Sequence, residues 1–114
     1  MNSLGDMRSL AAVLQRLAAT IDARADADAD TSYTAQLLAK GPKKVAAKII
    51  EEGGELAFAL TDESDAAVAA EAADVLYHML VGLSARGVSL EDVAAVLQAR
   101  ECTSGLDEKA SRKN

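Results

Sequence analysis

From residue 6 to about residue 25, Met7, Leu10, Leu14, Leu17 and Ile21 recur at steps of three and four, the spacing of one helical face. Arg8, Gln15, Arg16 and Asp22 take the opposite side. Residues 24–30 alternate Ala with Asp, offer no apolar face and read as a solvated linker. Ser32, Tyr33 and Thr34 then supply hydroxyls suited to capping a short helix over 35–39. Gly41-Pro42 stops that helix and starts the next, because Pro fits a first-turn position. In the third predicted helix, 42–60, Val45, Ile49, Gly53, Leu56 and Leu60 fall in one quadrant and are expected to pack inward. Lys44, Lys48, Glu51, Glu52 and Glu55 form a separate stripe. Residues 61–64 read as a turn. The fourth helix, 65–85, is apolar nearly all round, with Glu71, Asp74, Tyr77, His78 and Ser84 as its polar members after the first turn. Such a helix is expected at the centre of a bundle or in a subunit interface. Gly87 ends it, and Ser89 caps a last helix reaching about residue 102. The pattern predicts an all-α bundle of four to five helices, with one domain over 1–102 and a polar, disordered tail over 103–114.

Composition narrows the class. Half of the 114 residues are apolar but only Tyr33, Tyr77 and Phe58 are aromatic, and alanine-rich sequence with a single Pro favours helix. A net charge of −6 argues against general nucleic-acid binding, so a polyanionic substrate would rely on local cations or metal. The lone Cys102 forms no internal disulfide and fits a reducing compartment. One Cys and one His are too few for a protein-only zinc site. No apolar run approaches membrane-spanning length and no signal-peptide pattern opens the chain, so a cytoplasmic protein is expected.

The chemistry sits in two acidic clusters. Helical spacing puts Glu52 and Glu55 on one face of the third helix, and Glu71 and Asp74 on one face of the fourth. For Glu51, Glu52 and Glu55 alone, a solvated face paired with Lys44 and Lys48 is an equally good account. Glu71 and Asp74 differ, because they lie on a helix that the pattern leaves without a solvent face. Two carboxylates about 6 Å apart repel by roughly 3 kcal/mol at an effective dielectric near 20. They are therefore expected to be paired, protonated or metal-bound. An all-oxygen anionic pocket suits Mg²⁺ rather than softer metals. Lys48 shares the glutamate stripe and is expected to meet phosphate. Gly53 and Gly54, costly inside a helix, are expected to allow close helix approach. A lone His such as His78 is more often a hydrogen-bonded structural residue than a catalyst.

Lys48-x-x-Glu51-Glu52-x-x-Glu55 followed by Glu71-x-x-Asp74 resembles the signature of the all-α, MazG-like nucleotide pyrophosphohydrolases. Ser32-Tyr33-Thr34-Ala35, the turn from Lys40 to Lys44, and the segment from Ala72 to His78 are similar, within that group, to the phosphoribosyl-ATP pyrophosphohydrolase family. The resemblance spans about residues 10–100, and Gly54 departs from it where a larger side chain is expected. It implies Mg²⁺-dependent hydrolysis of phosphoribosyl-ATP to phosphoribosyl-AMP and pyrophosphate, the second step of histidine biosynthesis. In that reading Glu52, Glu55, Glu71 and Asp74 hold metal, Glu51 positions water or is a further ligand, and Lys40, Lys44, Lys48 and Tyr33 meet the phosphates and nucleotide. A homodimer or larger even assembly is expected through the fourth helix. A house-cleaning nucleoside triphosphate hydrolase and a non-catalytic, metal-stabilised dimerisation module are the alternatives that keep the acidic site.

Overall fold

A computed structural model describes residues 7–30 and 32–101. Asp6, Cys102 and the predicted tail 103–114 lie outside the described residues. Within them the chain is all-helical, with no strand: α1 Leu10–Ala23, a 3₁₀ turn Arg24–Asp26, α2 Tyr33–Lys40, α3 Pro42–Asp62, α4 Asp65–Arg86 and α5 Leu90–Arg100.

Local chemistry fixes the boundaries. Ser9, Ser32, Ser64 and Ser89 each cap a helix by accepting from a backbone N–H three residues on, and Asp92 returns the bond to Ser89 to close a capping box. Pro42 occupies the first turn of α3. Gly87 ends α4 at φ 70°, a left-handed conformation that a side chain would disfavour. The predicted 61–64 turn is shorter than expected. Thr61 donates its hydroxyl to the carbonyl of Phe58 and stays helical, leaving Glu63 and Ser64 to reverse the chain.

The reversal folds α4 back along α3, and this pair forms the centre of the molecule. Ile21 of α1, Leu37 of α2, Val45 of α3, and Leu80 and Val81 of α4 make the buried core. Leu14, Leu17, Ile49, Tyr77 and Leu83 pack around it. Ser84 donates to the Asp22 carboxylate at 2.6 Å, fastening α1 to α4. Three inward assignments fail. Met7 and Leu10 are exposed where the chain enters α1, and Leu60 is exposed on a different face of α3 from the buried Ala59 beside it. Ala59 and Glu52 are buried on α3 instead.

The close helix approach also falls elsewhere. A Cβ added at Gly53 or Gly54 would meet nothing within 4 Å, whereas one at Gly82 would lie 3.3 Å from Val45 Cγ1 and 3.6 Å from Ile49 Cδ1. Val45 is fully buried and cannot move aside. Gly82→Val is therefore expected to cost about 1–3 kcal/mol, read as a lowered denaturant midpoint.

α4 departs from the sequence reading in a further way. With 22 residues and a mean hydropathy of 1.4 over its most apolar window, it is long and apolar enough to cross a membrane, by length and composition only. Glu71 and Asp74 interrupt the apolar run that a residue-by-residue reading looks for, yet barely lower the average. Only 17% of that window is buried within the single chain.

Candidate metal and substrate site

The predicted acidic stripe of α3 meets α4 at Glu71. Oxygens of Glu52, Glu55 and Glu71 all lie within 4.8 Å of one another, with Glu52 buried, Glu71 half-buried and Glu55 exposed. Among the described residues, two buried side-chain oxygens lack a hydrogen-bond partner: Glu52 Oε2 and Glu71 Oε2. Buried polar atoms are nearly always satisfied, so this double orphan is the feature to explain.

Electrostatics point the same way. Burial, then the neighbouring Glu55 and Asp74, push the Glu52 carboxyl above the usual carboxylate range, against a smaller opposing pull from His78. Glu55 is likewise raised, first by its hydrogen-bonding reach to Glu71 and then by burial. Both want a proton or a cation. The nearest cation is Lys48, whose Nζ lies 3.4 Å from Glu51 and 3.8 Å from Glu52. Partial desolvation pulls the Lys48 ammonium down, but Glu51, Tyr33 and Glu52 outweigh it and raise it above the ordinary lysine value. One lysine does not balance this cluster. The close carboxylate oxygens and the two orphans fit a hard divalent cation.

The other predicted residues are less evenly placed. Asp74 is exposed rather than buried, and it acts on Glu52 from the edge of the cluster. Glu51 leans toward Lys48 at the rim, 56% exposed. Lys40 and Lys44 are exposed at the end of α2 and the start of α3. Glu51, Glu55 and Glu71 line an open cavity of about 480 Å³ together with Gly54, Phe58 and Glu63. Sequence reasoning missed Phe58 and Glu63. A helical wheel places Phe58 one turn beyond Gly54, but the cavity it borders exists only once α4 has folded back.

Tyr33 and His78 prove to be connected. The buried His78 places Nδ1 2.8 Å from the Asp74 backbone oxygen and Nε2 3.2 Å from the Tyr33 hydroxyl. Beside them, Thr34 Oγ1 and Tyr77 Oη lie 2.5 Å apart. The first turn of α2 is thus pinned to the turn of α4 that follows Asp74.

Two antiparallel helices presenting opposed carboxylates around unsatisfied oxygens define an all-α protein whose acidic cluster fits a hard cation. Residues 14–101 match the family described as phosphoribosyl-ATP pyrophosphohydrolase. The chain is 58% identical to a phosphoribosyl-ATP pyrophosphatase of Cereibacter sphaeroides over 100 residues, which is 88% of this chain and 97% of that one. It is 55% identical to the phosphoribosyl-ATP pyrophosphatase of Dinoroseobacter shibae, covering 88% of this chain and 98% of the other. A histidine biosynthesis bifunctional protein HisIE of Wolinella succinogenes is 45% identical over 96% of this chain, which spans 48% of that longer protein. The chain belongs to the phosphoribosyl-ATP pyrophosphohydrolase family, whose members depend on a metal.

Proposed function

We propose that Glu52, Glu55 and Glu71, with Asp74 at the edge, hold Mg²⁺ for the reaction this family performs. The chain is a hydrolase of acid anhydrides that takes phosphoribosyl-ATP to phosphoribosyl-AMP and pyrophosphate, the second step of histidine biosynthesis. The two orphaned oxygens, Glu52 Oε2 and Glu71 Oε2, carry the metal reading. When bound, Mg²⁺ supplies charge neutralisation of the triphosphate and a more acidic water.

This chain's own groups divide the remaining work. Lys48 sits between the acidic cluster and solvent, where its ammonium meets phosphate oxygens, and Lys44 and Lys40 extend that positive edge. Glu51 is exposed at the rim and able to accept a proton from a water aimed at the α–β linkage. The floor made by the buried Glu52 and the half-buried Glu71 limits water access from behind.

The assembly follows from what a single chain leaves open. Ile50, Phe58 and Leu60 of α3 are exposed and Val75, Leu76 and Met79 of α4 are only half-buried, and a second copy of the chain would bury them in a homodimer or larger even assembly. The domain then occupies 1–102, with 103–114 as a tail, in a cytoplasmic protein.

The test is pyrophosphate release from phosphoribosyl-ATP with and without Mg²⁺, beside ordinary nucleoside triphosphates, with mass measured by light scattering. Mg²⁺-dependent release from phosphoribosyl-ATP by a dimer or larger even assembly is expected. Metal-independent turnover would remove the assigned role of the cluster, and a monodisperse monomer would remove the interface.

A further inference from the structure

His78 is the single histidine of the chain, and both of its ring nitrogens are engaged. A backbone carbonyl only accepts, so the 2.8 Å contact to the Asp74 oxygen requires the proton on Nδ1. With the ring neutral, Nε2 is then an acceptor and the Tyr33 hydroxyl donates to it. The Tyr33 hydroxyl has one proton, and this bond uses it. What remains on that oxygen is a lone pair. The phenol is also fixed in place, because its ring stacks on Tyr77 at a centroid distance of 6.3 Å and the adjacent Thr34 meets the Tyr77 hydroxyl. Tyr33 is nevertheless 49% exposed, and it lies near enough to Lys48 to count among the influences on that ammonium.

A triphosphate chain near neutral pH offers only acceptors, and an acceptor-only hydroxyl has nothing to give it. The donors of a nucleotide are its sugar hydroxyls and its base N–H groups. We propose that Tyr33 is a specificity-determining residue that accepts a hydrogen bond from the nucleoside part of the substrate, and that His78 is the positioning residue that holds it as an acceptor. The proposal rests on the substrate reading above and narrows the sequence expectation for Tyr33 from phosphate or nucleotide to nucleoside.

The experiment uses the full chain with Mg²⁺. Tyr33→Phe is expected to raise KM for phosphoribosyl-ATP about five-fold, the worth of one hydrogen bond, with kcat nearly unchanged. Competition by inorganic tripolyphosphate should stay as in the parent, because that probe has no nucleoside. His78→Asn, which keeps a donor near the Nδ1 position but removes the Nε2 acceptor, should reproduce the KM change, and His78→Gln should partly restore it. Equal weakening of tripolyphosphate competition would assign Tyr33 to phosphate and overturn the proposal, as would an unchanged KM in Tyr33→Phe. Should the buried His78 variants not fold, the parent still decides the matter. With one imidazole in the chain, a long-range ¹H–¹⁵N spectrum reads its tautomer directly, and a proton on Nε2 refutes the arrangement. A parent without Mg²⁺-dependent turnover would instead strike the substrate reading, a separate outcome visible before any variant is made.

Discussion

Glu52→Gln is expected to lower turnover of phosphoribosyl-ATP by about 10²–10³-fold at saturating substrate, with helix content unchanged by circular dichroism. The substitution keeps the size of the side chain and its place beneath the site, and removes only the charge and one strong ligand oxygen. Glu52 is the buried member of the cluster, it carries an orphaned oxygen, and Lys48, Glu55 and Asp74 all act on it. No other carboxylate of the cluster combines these. Raising Mg²⁺ should recover part of the loss, as expected when an electrostatic ligand is weakened rather than a fold broken. Full activity with the parent's Mg²⁺ requirement would sink the metal assignment.

The same variant should melt above the parent at pH 7 once divalent cations are chelated. Burial and neighbouring carboxylates raise Glu52 above its ordinary value of 4.5, so folding disfavours its charged form. A raised group contributes stability that is fully present below the unfolded value and is lost as pH climbs through the folded one. The metal-free parent therefore loses this contribution as pH rises from 4.5 through the raised folded value, and Glu55 adds to the loss. Glutamine has no proton to lose, so the gap between variant and parent should open as pH rises through that range and close below it. Adding Mg²⁺ at pH 7 should lift the parent's melting temperature and move the variant much less. A metal-free variant melting below the parent at pH 7 would mean that Glu52 is stabilised without a cation. Together the two experiments separate what Glu52 does for the reaction from what it costs the fold.

Much of this was legible in the chain because it is local. The caps at Ser32 and Ser89, the stop at Gly87, and the Glu51-Glu52-x-x-Glu55 and Glu71-x-x-Asp74 spacings each depend on residues within one helical turn. The errors share a different origin. A helical wheel gave Leu60 an inward place because it carries no information about which face the opposing helix covers, and Ala59 is buried there instead. The cost of glycine inside a helix pointed to Gly53 and Gly54 as the close approach, while the contact lies at Gly82, opposite Val45 on another helix. Asp74 was expected to be buried because its helix is apolar all round, yet one chain leaves that face open. The bond between Tyr33 and His78 joins positions 45 residues apart, beyond the reach of any periodicity.

The three carboxylates that converge all come from α3 and α4, a continuous hairpin closed by a two-residue reversal. Closing so short a loop costs little chain entropy, and contacts between neighbours in sequence form early in folding. The cage can therefore be complete while α1 and α5 are still searching for their places. A cation captured at that stage would act as a clasp on the hairpin, and the remaining helices would dock against a centre already fastened.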